Sequence, residues 1–324
     1  MKLLVTGGAG YVGSIVTGQL LAAGHQVSVF DNLERGHREA VPKQARLVVA
    51  DLLDHDAVRR TLADGFDGVL HFAALALVSE SVSHPERYYR TNVGGTLNLL
   101  DSMREAEVRR LVFSSTCAVY GQPDEVPIPE TAPPRPANAY GASKLAVDGM
   151  IGDFCLAHGL GAVSLRYFNV AGASGGLGEH HEPETHLIPN VLKAALGLSE
   201  YVEVYGTDYA TPDGTAIRDY IHIEDLSAAH LLALERTRPG EHQIFNLGNG
   251  NGFSVREVIA AAETVTGRPI AVREAPRRPG DPPMLVAASQ RIRAELGWEA
   301  RKPELTDMVA DAWAFAQARP QGYS

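Results

Sequence analysis

The sequence predicts an α/β protein, a Rossmann-type doubly wound parallel sheet with a smaller C-terminal substrate-binding domain. Short, almost continuously apolar segments alternate with helix-length amphipathic segments, as in parallel sheets covered on both faces. A glycine-rich turn joins the first apolar segment to the first helical one. After about Ala171 the alternation gives way to loops rich in Gly, His, Pro and Arg, which suit a domain that covers a substrate.

Each element of the sheet has its own signal. The segments 3–6, 26–30, 47–50, 68–72, 111–114 and 163–165 are predicted to be strands, and 11–23, 54–63, 85–106 and 140–158 are predicted to be helices. Gly24 and Pro85 stand where a helix end and a helix start are expected. A later helix, 221–236, and a strand, 244–247, indicate that the chain returns to this sheet.

The length sets the domain count. At about 150 residues per domain, 324 residues predict two domains, or one large one. We assign residues 1–170 to the first, with 221–247 returning to it, and 171–324 mainly to the second.

The overall charge limits the partners. The formal net charge is −10, which argues against nucleic acid because phosphates need a basic face. Cys117 and Cys155 form no C-x-x-C pair, so neither a disulfide framework nor a cysteine zinc site is expected. With no apolar run of about 18 residues, we expect a soluble, cytoplasmic protein without a membrane partner.

The turn after the first strand predicts a dinucleotide site. Gly7 permits the tight turn, Gly10 lets the backbone approach a pyrophosphate, and Gly13 lets the helix pack on the sheet. The positive end of the helix then faces the phosphates. Asp31, eighteen residues later, would hold a ribose 2′-hydroxyl and repel a 2′-phosphate, which favours NAD; Arg35 and Arg38 nearby leave NADP open.

Tyr140 and Lys144 form the predicted catalytic pair. They lie four residues apart on one helix face, and a nearby ammonium favours a phenolate by lowering the pKa of the phenol. Such a tyrosine removes a proton from a sugar hydroxyl while hydride leaves the same carbon. Thr116, at the end of the fifth strand, adds a hydroxyl to the same crevice.

These motifs together resemble the extended short-chain dehydrogenase/reductase family over essentially the whole chain. The longer segments 166–172, 213–222, 246–248 and 275–281 resemble the UDP-glucose 4-epimerase family within it. The resemblance implies a closed hydride cycle at C4 of a UDP-hexose, with Tyr140 as the base, Thr116 assisting and NAD held permanently. It also implies a homodimer formed through helices 85–106 and 140–158.

The resemblance also implies two sets of binding residues. The NAD set is Gly7, Gly10, Tyr11, Val12, Gly13, Asp31, Asn32, Asp51, Leu52, Phe72, Ala73, Asn92, Tyr140, Lys144 and Phe168. The UDP-sugar set is Thr116, Asn169, His186, Leu187, Tyr205, Arg218, Arg278, Asp281 and Leu285. In the latter set arginine suits the diphosphate, Tyr205 offers a face to uracil, and Asp281 accepts from the uridine ribose.

Two positions depart from the family pattern. Ala76 stands where many members carry a lysine, so one NAD contact is expected to be missing. Leu285 stands beside the sugar C2 substituent, where it leaves room for an N-acetyl group. A 4,6-dehydratase needs an acidic pair after the strand-five threonine, but Cys117 and Ala118 follow here, which disfavours elimination.

Other functions remain open on the sequence alone. A UDP-uronate or UDP-pentose 4-epimerase would share these motifs, and so would a non-catalytic NAD-sensing protein. The segment 179–186 is rich in His and Glu, but it lacks the H-E-x-x-H pattern of a metal-binding helix. We therefore interpret it as a polar substrate loop and predict no metal.

Overall fold

The computed structural model describes residues 1–278 and 280–323. They form two compact units. Unit 1 comprises Met1–Gly121, Pro133–Arg166 and Ser227–Phe245. Unit 2 comprises Gln122–Ala132, Tyr167–Leu226 and the described residues from Asn246 onward. The units differ from the predicted domains mainly at residues 122–132, which belong to unit 2.

The strands and helices are numbered in chain order. The strands are β1 (Lys2–Thr6), β2 (Gln26–Asp31), β3 (Arg46–Val49), β4 (Gly68–His71), β5 (Arg110–Thr116), β6 (Gly161–Tyr167), β7 (Asn169–Ala171), β8 (Ala173–Ser174), β9 (Leu177–Gly178), β10 (Val202–Tyr205), β11 (Ile217–His222), β12 (His242–Leu247), β13 (Gly252–Ser254), β14 (Val272–Ala275) and β15 (Met284–Leu285). The α-helices are α1 (Tyr11–Ala22), α2 (His55–Leu62), α3 (Val78–Ser83), α4 (Pro85–Tyr88), α5 (Gly95–Glu105), α6 (Ala139–His158), α7 (Leu187–Ala195), α8 (Ile223–Glu235), α9 (Val255–Thr266), α10 (Gln290–Leu296) and α11 (Leu305–Ala318).

The predicted fold class is confirmed by a seven-stranded sheet in the order β12-β6-β5-β4-β1-β2-β3. The chain winds outward from β1 to β3 and then restarts at β4 on the other side of β1. Ligands of such sheets bind where the winding direction reverses, outside the carboxyl ends of the strands. The reversal here falls between β1 and β4, where Thr6 pairs with His71.

Apolar burial explains why the strands of unit 1 lack polar alternation. Leu4, Val69, Leu111 and Phe113 all lie in one core, which helices on the sheet's faces complete. Parallel strands covered on both sides bury every residue, so their sequences are nearly continuous apolar runs. The six predicted strands of the first half all form, with ends shifted by two residues at most.

Two predicted helices differ from the structure. The segment 85–106 is not one α-helix, because a π-helical turn, Tyr89–Gly94, separates α4 from α5. The predicted helix 221–236 begins only at Ile223, since the two residues before it close β11. Apolar residues at the end of β11 continue the helical pattern, so periodicity alone could not locate that boundary.

Unit 2 is built from small sheets around a second core. Strand β11 pairs with β13, β15 and β7, and β10 pairs with β14. Val204, Tyr220, Val258 and Met308 belong to the core that the surrounding helices share. Among the described residues, no helix combines the length and the apolar character needed to cross a membrane.

Candidate active site

The glycine-rich turn of unit 1 forms a close-packed cradle. Gly7 has a φ of +72°, and a Cβ there would lie 2.5 Å from the Ala73 nitrogen at the end of β4. A Cβ on Gly13 would lie 2.2 Å from the Gly7 carbonyl oxygen, whereas one on Gly10 would meet only that oxygen, at 3.4 Å. The first and third glycines are therefore required by packing, and the second leaves open space in front of α1. This arrangement fits the pyrophosphate of a dinucleotide.

Asp31 holds this turn from the end of β2. Its carboxylate accepts the N–H of Ala9 at 2.9 Å and that of Leu33 at 2.8 Å. Burial raises the pKa of Asp31, and these two N–H groups act in the opposite direction. Beside it, Asn32 donates to Asp51 at 2.8 Å. The acidic residues predicted for the NAD site therefore gather at the ends of β2 and β3.

Asn92 links the loop after β4 to the helix of the predicted catalytic pair. Its Oδ1 accepts the Leu75 N–H at 2.8 Å, and its Nδ2 donates to the Leu75 carbonyl and to Ser143 Oγ, both at 3.0 Å. The side chain is buried within the π-helical turn. Asn92 is thus placed to position this loop and helix α6, whereas the resemblance implied a direct NAD contact.

Helix α6 presents Tyr140 and Lys144. Asn138 caps its first turn by accepting the Gly141 N–H at 2.9 Å. A Cβ on Gly141 would lie 2.4 Å from the Ala118 carbonyl oxygen, so the glycine in Tyr-x-x-x-Lys allows the helix to approach the segment after β5. This contact brings Tyr140 to Thr116, with which it forms a hydrogen bond.

The electrostatics of the pair differ from the prediction. Burial raises the pKa of Tyr140 to about 12, the Thr116 hydrogen bond lowers it, and Cys117 raises it. Lys144 donates to the Ser114 carbonyl at 2.8 Å, and burial lowers its pKa to about 7 against the opposing effect of Asp148. Because the ammonium is directed at a backbone carbonyl, the expected lowering of the Tyr140 pKa by Lys144 is not seen.

A buried ion pair that the sequence analysis missed lies behind this helix. Asp148 accepts from Arg166 at 2.9 and 3.1 Å and from Ser115 at 3.1 Å, and Arg166 also donates to Tyr120 at 3.1 Å. The carboxylate is eight residues after Tyr140, two helical turns along the same face. That spacing was the available signal. The pair ties α6 to β5 and β6.

The predicted UDP-sugar residues lie in unit 2, apart from Thr116. Arg218, in β11, forms an ion pair with Asp281 and also donates to the Ile217 carbonyl at 2.7 Å. Leu285 is the register partner of Arg218 in the neighbouring strand β15. The structure therefore brings together three predicted residues, although 63 positions separate the first two in the chain.

A second group forms around Tyr205, the last residue of β10. The guanidinium of Arg278 lies over its ring, 4.1 Å from the centroid, and the hydroxyl donates to Glu203. The ring face predicted for uracil is therefore already covered on one side by an arginine predicted for the diphosphate. Pro279, within the same sequence motif, lies outside the described residues.

The remaining predicted residues have separate positions. Asn169 begins β7 and pairs in register with Tyr220, and Phe168 is buried just before it. Leu187 opens α7 and packs on the core of unit 2. His186, the residue before α7, directs its Nδ1 at two carboxylates, each at 2.9 Å.

Comparisons with known proteins agree with this geometry. The NAD dependent epimerase/dehydratase family matches residues 3–248. A UDP-glucose 4-epimerase of Streptomyces lividans is 56% identical, with 99% of this chain and 98% of that protein covered. One from Corynebacterium glutamicum is 54% identical, with 98% and 96% covered. The crystal structure of the Bifidobacterium longum UDP-glucose 4-epimerase with NAD+ and UDP superposes with a TM-score of 0.95 at 38% identity, over 100% of both chains.

These findings confirm the resemblance that the sequence indicates. The family's dependence on NAD confirms the predicted cofactor, and the identity to curated epimerases over nearly the full length confirms that the protein is an enzyme of the isomerase class. The chain therefore belongs to the NAD-dependent epimerase/dehydratase family.

Proposed function

We propose that this protein is a UDP-glucose 4-epimerase, which interconverts UDP-glucose and UDP-galactose through a 4-keto sugar. The observation that carries the proposal is the half-buried phenol of Tyr140 beside Thr116. Tyr140 lies at the start of the helix that also presents Lys144. In the same unit, the Gly7–Gly13 turn provides the cradle for a dinucleotide. Identity above 50% to curated UDP-glucose 4-epimerases supports this substrate.

NAD fits the residues of unit 1. The open space at Gly10 and the N-terminus of α1 suit the pyrophosphate, and Asp31 carries a negative charge that disfavours a 2′-phosphate. When bound, oxidised NAD supplies a hydride acceptor and a positive charge. Lys144, held at the Ser114 carbonyl, is placed to bind the nicotinamide ribose, as the resemblance implies.

The chain's own residues move the proton. Tyr140 takes the proton from the O4 hydroxyl and returns it after the sugar has turned, with Thr116 hydrogen-bonded to the phenolic oxygen throughout. A phenol whose pKa is raised to about 12 by burial is a strong base once ionised, and it ionises only with positive charge nearby. Ionisation of Tyr140 near neutral pH therefore depends on positive charge in the site.

Unit 2 supplies the groups that suit the nucleotide. We infer that Arg218 and Arg278 bind the diphosphate, Tyr205 the uracil and Asp281 the uridine ribose. In the structure Arg218 and Asp281 neutralise each other, and Arg278 lies on Tyr205. Binding then exchanges these pairings for contacts with the ligand. Asn169, His186 and Leu187 complete the proposed set.

We propose separately that the sugar pocket accepts a larger substituent at C2. Leu285 lies beside Arg218 in the sheet. The resemblance implies that a leucine there leaves room for an N-acetyl group at C2, so we expect UDP-N-acetylglucosamine to be a substrate as well. A kcat/KM for it below about 10⁻⁴ of that for UDP-glucose would contradict this proposal, because a substituent that the pocket accommodates costs far less.

A homodimer and a cytoplasmic location stay predictions. Four exposed apolar side chains on or beside the segments 85–106 and 140–158 support the dimer: Val82, Tyr89, Leu97 and Leu156, of which Leu156 is 84% exposed. Scattered exposed leucines are common, but several on neighbouring helices favour an interface. Light scattering coupled to gel filtration measures the mass, and a monomer at micromolar concentration would contradict the prediction.

The test of function is the purified protein incubated with UDP-galactose and no added NAD. Formation of UDP-glucose, with bound NAD retained after gel filtration, is the expected result. Faster turnover of a UDP-uronate or a UDP-pentose would instead identify one of the alternative epimerases. Retained NAD with no turnover of any of these sugars would indicate a sensing protein and refute the proposal.

A further inference from the structure

A cluster of two glutamates and two histidines lies in unit 2 between β9 and α7. Glu179 follows β9, His186 precedes α7, and His181 and Glu184 lie between them in the connecting loop. One ligand atom from each of the four side chains falls within 4.8 Å of every other. We call these four residues the Glu–His cluster. The predicted catalytic residues Tyr140, Lys144 and Thr116 are not among them.

The donor atoms lie close enough together to surround one small ion. His186 Nδ1 lies 2.9 Å from an oxygen of Glu179 and 2.9 Å from one of Glu184. His181 Nδ1 lies 3.4 Å and 3.7 Å from oxygens of the same two residues. An ion bound at about 2.0–2.2 Å in a tetrahedral site places its donor atoms about 3.3–3.6 Å apart. The two distances at His186 are shorter than this range, and those at His181 lie within it and just above it, so small side-chain shifts would admit an ion.

Hydrogen bonds alone leave the cluster poorly satisfied. A ring nitrogen carries at most one hydrogen, yet His186 Nδ1 faces two carboxylates at equal distance. His181 Nδ1 is buried and has no well-aligned hydrogen-bond partner within the part of the chain that the structure describes. A single cation at the centre would contact all four groups at once, which one proton cannot do.

The burial of the two acids adds a charge argument. The side chains of Glu179 and Glu184 are only 11% and 2% exposed, and buried carboxylates need a compensating charge. A divalent cation at the centre would supply two positive charges, which balance the two buried carboxylates.

We propose that the Glu–His cluster binds one divalent transition-metal ion, Zn²⁺ being the ion that its ligand set and geometry favour. Two imidazoles and two carboxylates in a tetrahedral arrangement suit zinc, whereas calcium and magnesium prefer oxygen alone. The sequence favoured a substrate loop at these residues. Although that segment lacks a metal-binding helix pattern, the fold places its side chains around one point.

With four protein ligands, the site is structural and leaves no position for a substrate. The metal would link Glu179, after β9, to His186, just before α7. Glu184 also accepts the N–H groups of Thr185 and His186 at 2.8 and 2.9 Å, which holds it at the start of α7. Under this proposal the His186 side chain binds the metal, so the contact with the UDP-sugar that we propose for this residue would come from its backbone. The inference does not depend on the proposed reaction, because none of the four proposed metal ligands takes part in the proton transfer.

The test is zinc binding by the full-length protein, measured without any activity assay. The purified protein is stripped with a chelator, desalted, and titrated with Zn²⁺ by calorimetry, with metal content checked by mass spectrometry. Wild type is expected to bind one zinc per chain. Glu184→Gln is expected to weaken binding by at least about tenfold, while Glu182→Gln, from the same loop but outside the cluster, retains wild-type affinity.

His181→Gln is a second variant at a more exposed ligand, used if Glu184→Gln does not fold by circular dichroism. Co²⁺ in place of Zn²⁺ should give wild type an intense visible absorption band typical of tetrahedral cobalt, and each cluster variant should lose it. No saturable zinc binding by wild type overturns the proposal. So does equal weakening in Glu182→Gln and Glu184→Gln, or undiminished binding in both cluster variants.

Discussion

The two units hold their polar site residues in different ways. In unit 1 two of the predicted site residues are held by backbone groups: Asp31 accepts two N–H groups, and Lys144 donates to the Ser114 carbonyl. In unit 2 the partners are other side chains, as in Arg218 with Asp281 or Arg278 on Tyr205. Backbone partners are fixed by the sheet, whereas side-chain partners are free to change.

The two sites therefore differ in how far they are preorganised for a ligand. A site anchored on backbone is ordered before the ligand arrives, which reduces the cost of binding. A site whose arginines are already paired must exchange one partner for another, so its net gain per contact is smaller. A permanently held cofactor suits unit 1, and a substrate that must leave after each turnover suits unit 2.

Replacing Tyr140 by Phe removes the proposed base and tests the anchored site most directly. We expect kcat for UDP-galactose to fall by about 10³-fold or more, since a positioned acid–base group contributes up to roughly 10⁴-fold. Tyr209→Phe in unit 2 is the control, because its buried hydroxyl has no hydrogen-bond partner within the described residues. A coupled spectrophotometric assay compares the two. Near-normal kcat in Tyr140→Phe would rule out the assignment.

Ion pairs of the two units should differ in their effect on stability. Arg166→Met leaves Asp148 buried and uncompensated, so the free energy of unfolding should fall by about 3–5 kcal/mol. Arg218→Met removes a pair whose side chains are 13% and 29% exposed, and roughly 1 kcal/mol is expected. Urea denaturation measures both. Equal losses would show that the difference in burial between the two pairs does not govern their effect on stability.

Two glycines of α1 form a matched pair. Gly13→Ala places a methyl group against the Gly7 carbonyl, so we expect a loss of about 1–3 kcal/mol and protein purified without NAD. Gly18→Ala meets no atom within 4 Å and should stabilise the helix by roughly 0.5–1 kcal/mol. Thermal unfolding and the absorbance of released nucleotide report the outcome. Retained NAD in Gly13→Ala would argue against the cradle.

The smallest expected effect is a pH slope from Lys144. Its pKa is lowered from 10.5 to about 7, so between these values the unfolded chain holds a proton that the folded chain has released. The unfolding free energy of the nucleotide-free protein should therefore rise with pH, by at most about 1.4 kcal/mol per pH unit from this group. Lys144→Met should lack that increment between pH 7 and 8. Parallel slopes would contradict the lowered pKa.

The features that sequence predicts correctly are those carried by neighbouring residues. Strand positions, the Gly7–Gly13 turn and the spacing of Tyr140 and Lys144 all depend on local pattern, and the regular sheet brings them to one edge. The direction of Lys144 is different, because it depends on a carbonyl thirty residues away. Local pattern therefore predicts the spacing of the pair but not the direction of the Lys144 ammonium.

Unit 2 was less predictable because its groupings join distant segments. Nothing local indicates that Arg278 covers Tyr205 or that Arg218 pairs with Asp281. The Glu–His cluster is an intermediate case, since its residues are close in the chain. The sequence shows that the loop is rich in Glu and His, but only its fold brings the four donor atoms within 4.8 Å of one another.

The π-helical turn Tyr89–Gly94 makes the chain length between α4 and α5 critical. Each residue of an α-helix advances the side-chain direction by about 100°, so removing one residue from the turn would rotate everything on one side of it. Asn92 would then swing away from Leu75 and Ser143. A substitution in this stretch keeps the relative side-chain directions of α4 and α5, but a single-residue deletion changes them. The number of residues here therefore matters as much as their identity.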